Sequence, residues 1–179
     1  TKHLIANVLE NDSLCKQNSV QVEKYIINHD DDTKRRPDVC FEDLQGGKWA
    51  IELTNHWMNP TIAVERASFF RNNDINVIWL LSPKCHLNRD SMFRFTLFGL
   101  SGKPNTTSEI SSHFNGYAMD DDTRLLSNKE SKLNIKALVP TFYLNRSEKK
   151  ISYNIEEKIV HFSALHKDSE SKVPYLDHK

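Results

Sequence analysis

Residues 38–54 form the segment that most restricts what this chain can fold into. Two runs, from Asp38 to Leu44 and from Lys48 to Thr54, carry apolar residues at odd positions and flank Gln45-Gly46-Gly47. Alternation with a period of two is typical of β-strands, and a short glycine-containing connection is typical of antiparallel neighbours. The segment therefore predicts a β-hairpin.

The register of this hairpin can be argued from its apolar pattern. If the odd-numbered residues of both strands share one core, the numbers of paired residues must add up to an even number. A three-residue loop with Gly47 in the left-handed conformation satisfies this condition. It places Asp38 opposite Thr54, with Glu52 diagonal to Asp38 on the same face, about 7–8 Å away. A two-residue Gly46-Gly47 turn would instead put the two acids on opposite faces.

Asp38 and Glu52 form a candidate metal site in the first register. A hard cation such as Mg²⁺ typically takes one or two carboxylates and keeps several waters and substrate phosphates as its other ligands. The basic run Lys34-Arg35-Arg36 lies just before Asp38, where it could contact a phosphate. The pattern indicates a divalent-metal site, and the basic run beside it is either a phosphate contact or a solvated charged surface.

The segments around the hairpin predict an α/β sandwich with a mixed sheet. Thr1–Asn11 has the apolar spacing of a helix, and Val20–Asn28 is rich in residues that favour strands. Asn59-Pro60 is a helix start signal for a helix that runs to about Asn72. Ile75–Leu81 is apolar enough to be a strand that is buried on both faces. We expect a helix, a three-stranded meander, a crossover helix and a fourth strand, in that order.

We divide the chain into a core over residues 1–83 and a β-rich extension over residues 84–179 that packs on it. Asp90–Leu100 is compatible with either a helix or a strand. Turns are expected at residues 120–122 and 145–149. Short strands are expected in the extension at Asn115–Met119, Ala137–Leu144 and Ile151–Phe162.

Composition excludes several classes of protein. Lys plus Arg and Asp plus Glu number 24 each, so bulk charge does not hold this chain to nucleic acid. The longest apolar run, Val77–Leu81, is far shorter than the roughly 20 residues of a membrane span, so no membrane segment is expected. Three widely spaced cysteines favour a reducing, cytoplasmic compartment. The motifs of nucleotide-binding loops and zinc-binding histidine pairs do not occur.

Four segments together carry a resemblance to a known family. They are R-R-P-D-V at residues 35–39, A-I-E-L-T at residues 50–54, Glu65-Arg66 on the predicted helix, and the strand I-N-V-I-W-L-L at residues 75–81. This arrangement resembles the PD-(D/E)xK nuclease superfamily and is most similar to competence-protein CoiA-like nucleases, over roughly residues 1–83. The resemblance implies a restriction-endonuclease-like core, with a mixed four-stranded sheet flanked by helices, that cuts DNA with Mg²⁺ or Mn²⁺.

The resemblance also implies roles for individual residues. Asp38, Glu52 and the backbone carbonyl of Leu53 would be the metal ligands. Glu23 stands where related sequences often carry a Glu, which makes it a candidate third acid. Apart from the resemblance, His56 lies just past the Glu52 strand, where it either reaches the site or is simply a polar residue at the end of the strand.

Thr54 departs from the family pattern, because the superfamily has Lys there and CoiA-like sequences often have Gln. A Lys would stabilise the charge that grows on the transition state, whereas Thr can only hold a water by a hydrogen bond. A positive group from elsewhere would have to replace it. Three candidates stay open at this point, namely Arg36, Lys48 and Arg66.

We therefore predict a metal-dependent DNA nuclease, endo- or exonucleolytic, that hydrolyses phosphodiester bonds with Asp38, Glu52, Thr54 and Arg36 at its catalytic site. The alternative is a catalytically inactive nuclease-like module that binds nucleic acid or a protein partner, because Thr54 leaves the place of the catalytic cation unfilled. An RNA-directed nuclease or toxin on the same core is a third hypothesis. Neutral net charge implies modest DNA affinity, so a homodimer, an additional domain or a protein partner is compatible with this prediction.

Overall fold

Seven strands form one mixed sheet in the computed structural model, which describes residues 1–55, 58–88, 91–99 and 102–177. The helices are α1 (Lys2–Asn11), α2 (Pro60–Asn72), α3 (Pro83–Asn88), α4 (Ser91–Phe98) and α5 (Asp121–Glu130). The strands are β1 (Gln21–Val22), β2 (Ile26–Ile27), β3 (Lys34–Arg35), β4 (Val39–Glu42), β5 (Lys48–Thr54), β6 (Ile75–Leu81), β7 (Gly116–Ala118), β8 (Asn134–Asn145) and β9 (Lys150–His161).

The large sheet has the order β1-β4-β5-β6-β7-β8-β9, while β2 and β3 form a separate two-stranded hairpin. Strands β1, β4 and β5 are antiparallel neighbours, β5, β6 and β7 are parallel, and β7, β8 and β9 are again antiparallel. This confirms the predicted mixed α/β class with helices on the sheet and a β-rich C-terminal part. Because β7 pairs directly with β6, the sheet continues across residue 83.

The two faces of the sheet are covered by different helices. On one face, Ile5 and Leu9 of α1 pack in a cluster with Val39 and Ile51. On the other face, α2 packs over Ala50 of β5 and the odd-numbered residues of β6. Since side chains alternate along a strand, the even-numbered residues of β5 point to the α2 face.

The predicted start of α2 is confirmed, and so is the buried strand after it. The Asn59 side chain accepts a hydrogen bond from the backbone N–H of Thr61, and Pro60 occupies the first helical position. All seven residues of β6 are buried. The ambiguous segment after residue 90 forms the helix α4. Within the described part of the chain, no helix is long and apolar enough to cross a membrane.

Two predicted elements of the backbone are wrong. The continuous strand expected over Val20–Asn28 is broken at Glu23, whose φ of 51° turns the chain, so that β1 joins the large sheet and β2 joins the small hairpin. The expected turn at residues 120–122 is instead the start of α5. Asp120 caps this helix by accepting a hydrogen bond from Thr123, and the Thr123 side chain reciprocates at the Asp120 N–H.

The hairpin of β4 and β5 forms as predicted, but its loop and register differ. Val39 pairs with Ile51 rather than with Leu53, and the connection spans residues 43–47. Asp43 organises this longer loop, since its carboxylate accepts the backbone N–H groups of residues 45 and 47 and the indole N–H of Trp49. The left-handed residue is Gly46, with φ of 80°, rather than Gly47. The shift is two residues, so every side chain keeps its predicted face.

Candidate functional site

The acids Asp38 and Glu52 lie at neighbouring positions on the α2 face of the sheet. Continuing the β4–β5 ladder by one residue from the Val39–Ile51 pair brings Asp38 opposite Glu52. Directly opposed side chains have Cβ atoms about 4.5–5.5 Å apart, which is closer than the diagonal arrangement predicted from the sequence. The structure thus brings the two predicted carboxylates together.

Glu52 is a buried carboxylate that is paired with an arginine from the crossover helix. Its side chain is 6% exposed, and its Oε1 accepts a hydrogen bond from Nη2 of Arg66 at 2.5 Å. Arg66 lies in the second turn of α2, the helix that packs across this face. The same Nη2 donates to the backbone carbonyl of Arg36 at 3.1 Å. Arg66 therefore links the segment before Asp38 to the strand that carries Glu52.

The protonation of Glu52 is strongly affected by its surroundings. Burial raises the pKa of Glu52 to about 7, although the charge and the hydrogen bond of Arg66 act in the opposite direction. The nearby charge of Asp38 contributes to raising it. A carboxyl group that titrates near neutral pH beside a second carboxylate is typical of functional sites.

Asp38 is fixed by the backbone of the opposite strand. Its Oδ2 accepts the N–H of Leu53 at 2.8 Å, and its own carbonyl accepts the N–H of Glu23 at 3.1 Å. The peptide group between Glu52 and Leu53 is therefore held directly beside the Asp38 carboxylate. Sequence reasoning missed this contact, because the predicted register placed Thr54 opposite Asp38.

Thr54 is on the same face and is 2% exposed. Among the described residues, nothing forms a hydrogen bond with its Oγ1, and the Nε of Arg66 is likewise buried without a partner. A buried hydroxyl without a partner costs free energy, so native structures rarely keep one without a reason. Residues 56 and 57, which follow Thr54 closely, lie outside the described residues, and so does the prediction for His56.

The other predicted site residues have different surroundings. The side chain of Arg36 is exposed and lies over the ring of Tyr25, with its Cζ atom 5.7 Å from the ring centroid. Glu23 forms a salt bridge with Lys2 of α1 at 2.8 Å, and this hydrogen bond holds the pKa of Glu23 below its usual value. Lys48 is exposed at the far end of β5, four residues or about 13 Å along the strand from Glu52.

A comparison with protein families identifies the fold around this site. A family model described as the nuclease-like domain of competence protein CoiA matches residues 2–108, which is more than half of the chain. The chain belongs to the CoiA nuclease-like domain family. This confirms the family recognised from the sequence and extends the likeness from residue 83 through α3 and α4. No curated protein and no solved structure matches the chain.

The donor set of this CoiA-family chain fits a hard divalent cation. Asp38 and Glu52 supply two carboxylates, and Thr54 supplies a buried hydroxyl that lacks a partner among the described residues. No group of three or more His, Cys, Asp or Glu side chains with metal-binding geometry occurs in the described ranges. Mg²⁺ nevertheless needs only one or two protein carboxylates, because it keeps several waters. Since Arg66 engages Oε1 of Glu52, the cation would bind Oε2 or displace the guanidinium.

Proposed function

We propose that this chain is a divalent-metal-dependent nuclease that hydrolyses phosphodiester bonds in DNA. The observation that supports this most is the buried Glu52 carboxylate, which shares one sheet face with Asp38 and contacts Arg66. Membership in the CoiA nuclease-like family makes phosphodiester chemistry the natural use of such an acid pair. The same arrangement in an unrelated fold would support a metal site alone.

Asp38 and Glu52 would hold Mg²⁺ or Mn²⁺, and the carbonyl of Leu53 would be a further ligand. When bound, such an ion lowers the pKa of a water and stabilises negative charge on the phosphate oxygens. The hydrogen bond from the Leu53 N–H fixes the orientation of Asp38 before any substrate arrives. The hydroxyl of Thr54 would orient the attacking water.

Arg66 is the positive group that we propose in place of the superfamily's lysine. Of the three candidate cations it is the one that contacts Glu52, whereas the Lys48 side chain lies far along β5 and the Arg36 side chain lies over Tyr25. Its buried Nε has a hydrogen atom that forms no bond within the described residues. A guanidinium group can donate two parallel hydrogen bonds to a phosphate, so Arg66 would bind the oxygens where charge develops.

Cleavage assays with wild-type protein and two alanine variants test the proposal. Plasmid and single-stranded DNA are incubated with Mg²⁺ or Mn²⁺ and with Asp38→Ala or Glu52→Ala. We expect wild-type protein to cut and both variants to be inactive. Glu42→Ala is the matched control, because Glu42 is a carboxylate on the same face of β4 that pairs with Lys16 instead. Unchanged cutting by both site variants would defeat the proposal, provided that circular dichroism shows all proteins folded.

The second candidate function is a nuclease-like module that binds nucleic acid or a protein without cutting. Thr54 favours it, because the position of the superfamily's lysine carries no charge, and Arg66 is already engaged by Glu52. Titration calorimetry with Mn²⁺ separates the two functions. Binding that is lost in both Asp38→Ala and Glu52→Ala supports the nuclease, whereas no heat above that of the buffer supports the binding module.

A further inference from the structure

The hairpin of β2 and β3 has one face packed against the protein and one face exposed. Ile26 pairs with Arg35, and both point inward, where Ile26 joins the cluster under α2 and Arg35 lies over the ring of Phe69. Arg35 also forms a salt bridge with Glu65 at 3.6 Å. The inner face therefore anchors the hairpin to the same helix that carries Arg66.

The outer face of the hairpin combines an aromatic ring with two cations. Ile27 pairs with Lys34, and the same register brings Tyr25 opposite Arg36. Tyr25 is 53% exposed and Ile27 is 48% exposed. The Nζ atom of Lys34 lies 5.2 Å from the centroid of the Tyr25 ring, and the Cζ atom of Arg36 lies 5.7 Å from it. We call these four residues the outer hairpin face.

The outer hairpin face lies next to the two acids of the site, Asp38 and Glu52. Arg36 is separated from Asp38 by Pro37 alone, a distance of at most about 7 Å along the backbone. The Arg36 carbonyl is held by Arg66, the residue that also binds Glu52. A ligand lying on Tyr25 and Arg36 would therefore have its next segment beside the proposed metal ligands.

We infer that the outer hairpin face binds a single-stranded segment of nucleic acid, with a base stacked on Tyr25 and phosphates paired with Lys34 and Arg36. Exposed aromatic rings flanked by Lys or Arg are the standard means by which proteins hold unpaired bases and their backbone. Bases in a duplex are already stacked on their neighbours and cannot lie on the ring. This inference adds a substrate class to the proposed function. It rests on the proposed function only for the cleavage of the bound nucleic acid at Asp38 and Glu52.

The charges around the hairpin indicate which way a bound nucleic-acid strand would run. The turn after β2 contains Asp30, Asp31 and Asp32, which are exposed and repel phosphates. At the other end of the hairpin lies Arg36, and beyond it the Glu52 carboxylate is paired with Arg66. We therefore expect the nucleic-acid strand to run from Tyr25 toward Asp38 and not across the acidic turn.

Binding of fluorescein-labelled oligonucleotides, followed by fluorescence anisotropy in EDTA, tests this inference in the whole protein without cleavage. The probes are a 20-residue oligothymidine and a 20-base-pair duplex. We expect Tyr25→Ala to weaken binding of the single strand about tenfold, in line with the loss of one stacked base. Tyr25→Trp should keep the affinity, because a larger ring stacks equally well.

Two further measurements separate stacking from general surface effects. Tyr143→Ala is the matched control, because Tyr143 is 48% exposed on β8, away from the hairpin, and should leave binding unchanged. Lys34→Ala should lower the slope of the logarithm of affinity against the logarithm of salt concentration by about 0.7, the value for one phosphate contact on a single strand. Lys132→Ala, another exposed lysine, should leave the slope unchanged.

The outcomes distinguish this inference from the proposed nuclease. Any one of four results would overturn the inference. The first two are that the wild type binds no single strand, or that Tyr25→Ala binds it as tightly as the wild type does. The other two are that Tyr143→Ala loses as much affinity as Tyr25→Ala, or that duplex binding depends on Tyr25 as much as single-strand binding does. If metal-dependent cutting occurs but does not depend on Tyr25, the nuclease stands and the binding surface fails. If binding depends on Tyr25 but no cutting occurs, the binding surface stands and the nuclease fails.

Discussion

Arg66 and Glu52 form an ion pair across the α2 face of the sheet, with Nη2 of Arg66 2.5 Å from Oε1 of Glu52. The two residues lie 14 positions apart and on different elements, so the pair depends on how α2 crosses the strand. A buried ion pair contributes little net stability, because desolvation opposes the attraction. The pair beside Asp38 is therefore weak evidence for stability and is consistent with the proposed chemistry at this face.

Arg66→Ala should disable the site in a way that depends on pH. Without the guanidinium the pKa of Glu52 should rise further, because the charge and hydrogen bond that now lower it are lost. Mn²⁺ binding at pH 7 should therefore weaken and recover at pH 9, whereas cleavage should not recover, because the positive group is also missing. Calorimetry and cleavage rates at the two pH values check this. Arg66→Lys, which keeps the charge, should retain part of the activity.

The outcome that contradicts the proposed role of Arg66 is specific. Full cleavage by Arg66→Ala at pH 9 would show that the arginine serves only to tune Glu52. Arg66→Ala should also lower the free energy of unfolding by roughly 3 kcal/mol at neutral pH. This is the lower end of the range for breaking a buried ion pair, because Glu52 can take up a proton and so avoid an unpaired buried charge. Denaturant unfolding at pH 7 measures this loss.

Metal binding by the wild type should itself depend on pH. Burial raises the pKa of Glu52 to about 7, so below that pH the folded protein holds a proton that a cation must displace. The apparent affinity for Mn²⁺ should rise by up to about tenfold per pH unit below pH 7 and level off above it. Calorimetry in two buffers of different ionisation enthalpy should show release of about one proton at pH 6 and almost none at pH 8.5. Equal proton release at both pH values would contradict this assignment.

The sequence predicted the elements of the site better than its register. The even spacing of apolar residues was enough to put Asp38 and Glu52 on one face, because side chains alternate strictly along strands. It could not show that Asp43 closes a five-residue loop, since this depends on side-chain contacts with Trp49 across the hairpin and with Lys167 from a distant part of the chain. The local apolar pattern therefore could not predict the shift of two residues in the β4–β5 register.

The surroundings of the site were less predictable for a similar reason. Glu65-Arg66 was recognised on the crossover helix, but its partner depends on the packing angle of α2, which the sequence does not encode locally. The break at Glu23 was missed because Glu, unlike Gly, Asn or Asp, is not a residue type that signals a left-handed backbone. The outer hairpin face follows from that break. The helix α5 was missed because its capping aspartates also favour turns.

Thr54→Val should separate stability from function. The Thr54 hydroxyl is buried and has no partner among the described residues, so replacing it with a methyl group should raise the free energy of unfolding by about 1 kcal/mol. If the hydroxyl orients a water at the metal, the same change should lower the cleavage rate roughly tenfold. Thr123→Val is the control, because its buried hydroxyl bonds Asp120 and its loss should destabilise the protein. A destabilised Thr54→Val would show that the hydroxyl has a partner in the fold.

The free energy of unfolding should depend on pH through Asp120. Burial raises its pKa, but hydrogen bonds from Lys136 and Thr123 outweigh this and hold the pKa of Asp120 at about 2. Because the unfolded chain has the ordinary value of 3.8, the stabilisation is complete above about pH 4 and is lost as the pH falls through 2. Asp120→Asn keeps a capping oxygen but loses the ion pair with Lys136, so it should be less stable than wild type at pH 6 by about 1 kcal/mol, and this gap should narrow toward pH 2.

Denaturant unfolding of both proteins between pH 2 and 6 measures the gap. Asp122→Asn changes the charge in the same helical turn, but Asp122 does not form the salt bridge with Lys136, so it is the control. A gap that is constant over this range would show that the cap of α5 acts through geometry alone, without the ion pair between Asp120 and Lys136.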